Sequence, residues 1–154
     1  MSKKCKHHEE NVIEIIPGLW LGNIESSHDP NFIKQKEIRH IIRVMPEFDE
    51  TKVHKNVQYL HIPISDNKLC SINLNGLFDY TNKYIKEKLL NKENVLVHCK
   101  RGHHRSAAII VAFLIKCLNV DYFDAVLYVG YLRPCALRRN TCIGQYLFKY
   151  YLDN

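Results

Sequence analysis

The stretch Val95-Leu96-Val97-His98-Cys99-Lys100-Arg101-Gly102-His103-His104-Arg105-Ser106, with the apolar run Ala107 to Leu118 behind it, decides how this chain is read. Three β-prone residues lead into a cysteine, a short basic loop with one glycine, a serine and then a helix. Cys99 and Arg105 bracket five residues, the length of a loop that wraps one phosphate group. Backbone N–H groups of such a loop turn inward, and the following helix aims its positive end at the same point. A thiol held there is expected to ionise near neutral pH. The planar fork of Arg105 can grip two phosphate oxygens at once, which a lysine cannot do. Residue types and spacing together describe a nucleophile inside an oxyanion cradle.

On either side of this stretch, strand patterns alternate with helix patterns. Val12 to Ile16 reads as a strand, Pro17-Gly18 turns it, and Leu19-Trp20-Leu21 pairs back with Trp20 as a core anchor. A short helix is expected from about Asn31 to Gln35, capped by Asp29 or Asn31. Ile38 to Val44 is β-rich and stops at Met45-Pro46, and residues 47–56 are charged and loop-like. Val57 to Ile64 is the next strand, ending at Ser65-Asp66-Asn67. From Asn73 onward, Leu74, Leu77, Phe78, Thr81, Tyr84, Ile85 and Leu89 recur every three or four residues, an amphipathic helix. Val95 to His98 is a buried strand, and Ala107 to Leu118 is apolar all round, as a centrally packed helix would be. Asp121 can cap a helix from about Tyr122 to Leu132, ended by Pro134, and a last helix runs from about Thr141 to Leu152.

Strands separated by helices predict an α/β fold: a central, mostly parallel twisted sheet of about five strands flanked by helices. Ligand sites in such sheets lie beyond the carboxyl ends of the strands. Asp66 and Cys99 each follow a strand, so both are expected at one edge.

At 154 residues the chain is most simply one domain, read as a flexible arm over residues 1–11 and a single catalytic domain over 12–154. Hydrophobic residues make up 46% and charged residues 25%, the balance of a water-soluble globular protein. No apolar run approaches the ~20 residues a membrane span needs, and the start lacks a signal-peptide core. The six cysteines show no paired spacing, so a reducing, cytoplasmic setting is expected rather than a disulfide scaffold. Cys5, His7 and His8 lack a second ligand set, so no metal is expected there. The net charge of +6 suits an acidic partner such as a phosphoprotein, phospholipid, inositol phosphate or RNA, without choosing among them.

The string His98-Cys99-x-x-Gly102-x-x-Arg105-Ser106 resembles the signature loop of cysteine-dependent phosphatases, most closely the dual-specificity group. Leu19-Trp20-Leu21-Gly22-Asn23 is similar to the opening hairpin of that group, and the resemblance covers roughly residues 12–152. It implies dephosphorylation of phosphotyrosine and phosphoserine or phosphothreonine in proteins, through a cysteinyl-phosphate on Cys99. Asp66, 33 residues upstream, matches the family's general acid. Ser106 would hydrogen-bond the departing thiolate, and His98 would support Cys99 from behind. Lys100, Arg101, Gly102, His103, His104 and Arg105 would surround the phosphate, with no metal or cofactor required. The implied partner is a phosphorylated protein, and no stable nucleic-acid binding is expected.

Several positions depart from the family. Arg43 stands where an asparagine is common, and Arg101 and His104 stand where many protein-directed members have small residues. Lys100 and His103 match lysines of phosphoinositide phosphatases, and Arg101 to Arg105 matches the Arg-Gly-x-His-Arg of inositol pyrophosphate phosphatases. RNA 5′-phosphatases also use basic loops. Polyphosphorylated non-protein substrates, or a phosphate-binding pseudoenzyme, are therefore the alternative readings. Arg133, Arg138 and Arg139 read as exposed helix-end charge, with a second acidic group of the substrate as the other option. Cys70, four residues past Asp66, reads as a semi-buried loop cysteine that could also pair with Cys99 under oxidant.

Overall fold

β-branched runs alternating with amphipathic segments build one five-stranded sheet in a computed structural model of the chain, which describes residues 10–65, 73–137 and 142–153. The strands are β1 (Val12–Ile16), β2 (Leu19–Gly22), β3 (Ile38–Val44), β4 (Gln58–Ile62) and β5 (Asn94–His98), in the spatial order β1-β2-β5-β3-β4. β1 runs antiparallel to β2, and every other neighbouring pair is parallel. This is the α/β architecture the alternating pattern predicts. β4 is shorter than the expected 57–64; it stops just before Pro63, which has no N–H to give a ladder.

Among the described residues six α-helices cover the sheet: α1 (Ile24–Ser27), α2 (Pro30–Gln35), α3 (Leu74–Leu90), α4 (Arg105–Cys117), α5 (Tyr122–Leu132) and α6 (Cys142–Leu152). Five fall where the sequence places them. α1 does not, because four residues are too few to show a helical period; it depends instead on Asn23, whose side-chain oxygen accepts from the Ser26 N–H at 3.0 Å. Asp29 caps α2 through the Asn31 and Phe32 N–H groups, and Asp121 caps α5 through Phe123.

The main core lies on one face of the sheet, between β-strand residues such as Leu19, Ile42, Val95 and Val97 and the helices α3 to α6. At its centre, ten consecutive residues of α4, Ser106 to Ile115, are buried. Each fully buried Ile, Leu or Phe there contributes ~1.5–3 kcal/mol relative to exposure. The opposite face holds a smaller cluster of Ile33, Ile38, Ile41 and Leu96. Trp20 belongs to this second cluster rather than to the main core: it is half-buried, edge-on to Phe32 at 5.3 Å.

Cys99 and Cys117 are free thiols, whereas Cys135 is disulfide-bonded, a pairing that sequence spacing did not reveal. No helix among the described residues is long and apolar enough to cross a membrane. Residues 1–9, Asp66, Cys70, Arg138 and Arg139 lie outside the described residues, so the expectations placed on them gain no structural account. Glu10 and Asn11, assigned to the arm, are held by the fold: their carbonyls accept from Arg133 and from the Asn23 N–H.

Candidate active site

The central strand β5 delivers the cysteine. Flanked by β2 and β3, with His98 opposite Gly22 on one side and Arg43 on the other, it ends at Cys99 in the middle of the sheet's carboxyl edge. The thiol is 3% exposed, and α4 begins six residues later with its amino end at the same point. Cys99 Sγ accepts the Gly102 N–H at 3.2 Å and lies 3.2 Å from Ser106 Oγ.

Between strand and helix, six successive carbonyls are each taken by a donor. His98 Nδ1 donates to the Cys99 carbonyl at 3.0 Å. The Ile24 N–H holds Lys100 at 3.0 Å, and the Leu137 N–H holds His103 at 2.8 Å. Arg133 takes two at once, Nη2 to Arg101 at 3.0 Å and Nε to Gly102 at 2.9 Å. The Ala108 N–H closes the series on His104 at 2.8 Å. The described residues contain no cis peptide, and a trans peptide points its N–H opposite to its C=O. Carbonyls captured around the outside therefore leave the N–H groups of 100–105 for the inside, where the sulfur sits. Such a ring of donors, at a helix amino end, is a nest for a tetrahedral anion.

Gly102 makes the bend. Its φ is 73°, and a Cβ there would stand 2.6 Å from the Gly22 carbonyl oxygen, so only glycine fits. Arg105, at the first turn of α4, reaches across to the Ile64 carbonyl with Nη1 at 2.9 Å. That bond ties the amino end of α4 to the chain following β4. Lys100 and Arg101 are exposed on the rim, while His103, His104 and Arg105 are half-buried. The structure thus brings Cys99, Ser106, His98, Gly102 and Arg105 together at one edge.

Beside Cys99, burial pushes the His98 imidazole down to about 3, with Arg43, His28 and Arg105 adding to it. Because its Nδ1 faces a carbonyl, the neutral ring carries its proton there. Beside it on β3, Arg43 is 1% exposed, its guanidinium 4.6 Å from the Phe48 ring centre and 5.9 Å from that of Tyr59. Burial lowers its pKa, and no carboxylate among the described residues pairs with it.

Arg133 corrects the sequence reading. It is 3% exposed rather than a solvated helix-end charge, and besides the two loop carbonyls it holds Glu10 O at 2.7 Å. Three carbonyl acceptors converge on this buried arginine, and that convergence is a tertiary property. The one sequence signal is its position at the end of α5, before the helix-stopping Pro134.

The family model "Dual specificity phosphatase, catalytic domain" matches residues 19–151. A probable dual specificity protein phosphatase of Dictyostelium discoideum is 35% identical over 144 residues, 92% of this chain and 34% of that protein. Human dual specificity protein phosphatase 22 is 32% identical over 124 residues, 80% of this chain and 65% of that protein. The chain thus spans less than two thirds of these relatives' lengths. The crystal structure of DUSP15 superposes with a TM-score of 0.83 at 26% identity, over 92% of this chain and 88% of that one. That of a human tyrosine phosphatase-like serine/threonine/tyrosine-interacting protein gives 0.79 at 29% identity, over 91% and 95%.

Proposed function

The chain belongs to the dual-specificity phosphatase family, and from that premise we propose that it removes phosphate from phosphotyrosine, phosphoserine and phosphothreonine in proteins. The observation that carries this reading is the capture of six successive carbonyls, Cys99 to His104, around a buried thiol. A phosphate monoester dianion enters the ring of N–H groups, and Arg105 grips two of its oxygens. Cys99 Sγ attacks phosphorus in line with the leaving oxygen. The S–P bond forms as the P–O bond breaks, and protonated Asp66 gives its proton to the departing oxygen, a step worth ~10²–10⁴-fold.

In the second half, the Asp66 carboxylate takes a proton from water as the water oxygen attacks phosphorus. Inorganic phosphate leaves, and the sulfur departs as thiolate, accepting a hydrogen bond from Ser106 Oγ at 3.2 Å. His98 holds the Cys99 carbonyl outward throughout. The role of Asp66 rests on its place in the sequence, two residues after Ile64, whose carbonyl Arg105 binds. Lys100, Arg101, His103 and His104 supply a basic rim for the acidic surroundings of the phosphate. The mechanism uses Cys99 outside any disulfide, the state in which it is found while Cys135 is paired.

Hydrolysis of p-nitrophenyl phosphate, and of phosphotyrosine and phosphothreonine peptides, tests this directly. The wild-type chain should turn over all three, and Cys99→Ser should abolish turnover while still retaining phosphopeptide. Asp66→Asn should slow alkyl phosphates more than aryl ones, because poor leaving groups need the proton more. Turnover surviving in Cys99→Ser, or wild-type protein that binds phosphopeptide without hydrolysing it, would overturn the assignment.

A further inference from the structure

A groove of about 530 Å³ lies where α2 meets the amino-terminal ends of β3 and β4, at the sheet edge opposite the one that carries Cys99. That volume falls within the ~300–1,000 Å³ of ligand-binding clefts. Its apolar lining is Pro30, Ile33, Ile38 and Val57; Ile33 and Ile38 are buried in the smaller core cluster, so the apolar side chains it presents are Pro30 and Val57, and its cations are Lys34, Arg39 and Lys55, all three exposed. Glu37 is the one carboxylate in the lining. The groove thus offers an aliphatic surface beneath a rim with excess positive charge.

The walls are fixed by backbone geometry. Glu37 and Asn56, on opposite sides, sit in the left-handed region with φ of 50° and 64°. His54 is pinned at both ends: its N–H donates to Tyr59 Oη at 2.9 Å, and its ring Nε2 lies 2.7 Å from the Ser27 carbonyl. A groove held this way exists before any ligand arrives, so binding in it costs little reorganisation.

We propose that this groove docks an acidic segment of the phosphorylated protein substrate, with an aliphatic side chain on Pro30 and Val57 and carboxylates on Lys34, Arg39 and Lys55. The proposal rests on the protein phosphatase reading above and adds a substrate feature that the phosphate loop does not read. Phe, Tyr and Trp rings, on which single-stranded nucleic acid stacks, do not line the groove. A polypeptide carrying both carboxylates and aliphatic side chains fits the lining better.

Register sets the distance. Ile38 pairs with Asn94, and Cys99 lies five residues beyond, so groove and nucleophile are ~16 Å apart along β5 at ~3.3 Å per residue. β4 is an edge strand that runs from the groove toward Ile64, beside Arg105. An extended peptide following this edge needs at least about five residues between phosphoresidue and acidic segment.

The test compares two phosphotyrosine peptides with the same phosphosite, one extended on either side by an acidic-aliphatic segment at least about five residues away. Wild-type protein should prefer the extended peptide in kcat/KM by roughly tenfold, the scale of three exposed ion pairs. The variant K34E/R39E/K55E should lose that preference and keep wild-type turnover of p-nitrophenyl phosphate. Fluorescence anisotropy of the acidic segment without its phosphate should show binding to wild type and none to the variant. Equal kcat/KM for both peptides in wild type, a preference that survives the triple variant, or displacement of the segment by single-stranded RNA would each overturn the proposal. Failure to hydrolyse p-nitrophenyl phosphate would instead strike the catalytic reading, and the anisotropy arm would still decide the groove.

Discussion

Replacing Gly102 by alanine is the sharpest perturbation of the phosphate loop, because the backbone itself resists it. At φ 73° a Cβ costs ~1–2 kcal/mol by local sterics alone. The methyl would also stand 2.6 Å from the carbonyl oxygen and 2.8 Å from the carbonyl carbon of Gly22, which β2 holds in the sheet. Unlike a flexible side chain, that backbone cannot swing away, so the loop must shift instead. The shift draws the Gly102 N–H away from Cys99 Sγ and its carbonyl away from Arg133. We expect a loss of ~2–4 kcal/mol of stability, a Tm drop of roughly 5–15 °C for a chain of this size. A hydrogen bond to a charged group is worth ~1.5–3 kcal/mol, so kcat on p-nitrophenyl phosphate should fall ~10–150-fold. Gly130→Ala is the matched control: in α5, with nothing within 4 Å of its added Cβ, it should stabilise by ~0.5–1 kcal/mol and leave turnover unchanged. Thermal melts and steady-state kinetics on both variants suffice. A Gly102→Ala protein with wild-type kcat and Tm would refute the loop geometry from which its chemistry is derived.

Arg133→Met removes the donors for three carbonyls, at Gly102, Arg101 and Glu10. It should cost ~2–4 kcal/mol and lower kcat more than it raises KM; wild-type kcat in a folded variant would sink this role. His98 predicts an acid-side slope in stability. The unfolded ring protonates near 6.5 and the folded ring only at about 3, so the unfolded chain binds the extra proton between those values. Stability should therefore fall as pH drops through that window, by up to ~1.4 kcal/mol per unit. Urea melts of wild type and His98→Asn at pH 7, 6, 5 and 4 should show a shallower slope in the variant, and equal slopes would contradict the account. Arg43→Met exchanges a buried cation that pairs with no carboxylate among the described residues for an apolar chain of similar reach. Tm should hold or rise, and a loss above ~2 kcal/mol would mean the stacking on Phe48 and Tyr59 outweighs the burial of charge.

What the sequence made legible follows the range of the forces involved. Such signals are local, so α3 was readable from its spacing, α5 from its Asp121 cap, α4 from its unbroken apolar run and β3 from its β-branched run. That Cys99, Gly102 and Arg105 share one loop was readable because a turn between a strand and a helix is built from contiguous residues. Arg133 was misread because its acceptors come from residues 10, 101 and 102, far from it in sequence. Trp20 went to the smaller cluster because a strand pattern says that a face is buried but not which helix covers it. The disulfide at Cys135 escaped for the same reason: pairing depends on proximity that spacing does not encode.

The complete enclosure of Ser106 to Ile115 has a consequence for how this protein tolerates change. Most helices alternate permissive and intolerant positions in a three- or four-residue rhythm, since one side meets water. In α4 that rhythm should vanish, and a saturation screen should return an unbroken block of ten sensitive sites. Enlarging any one of them presses on neighbours with nowhere to go. Because the helix begins at Arg105, such strain would reach the end beside Cys99, so that damage to packing there would register in an activity assay.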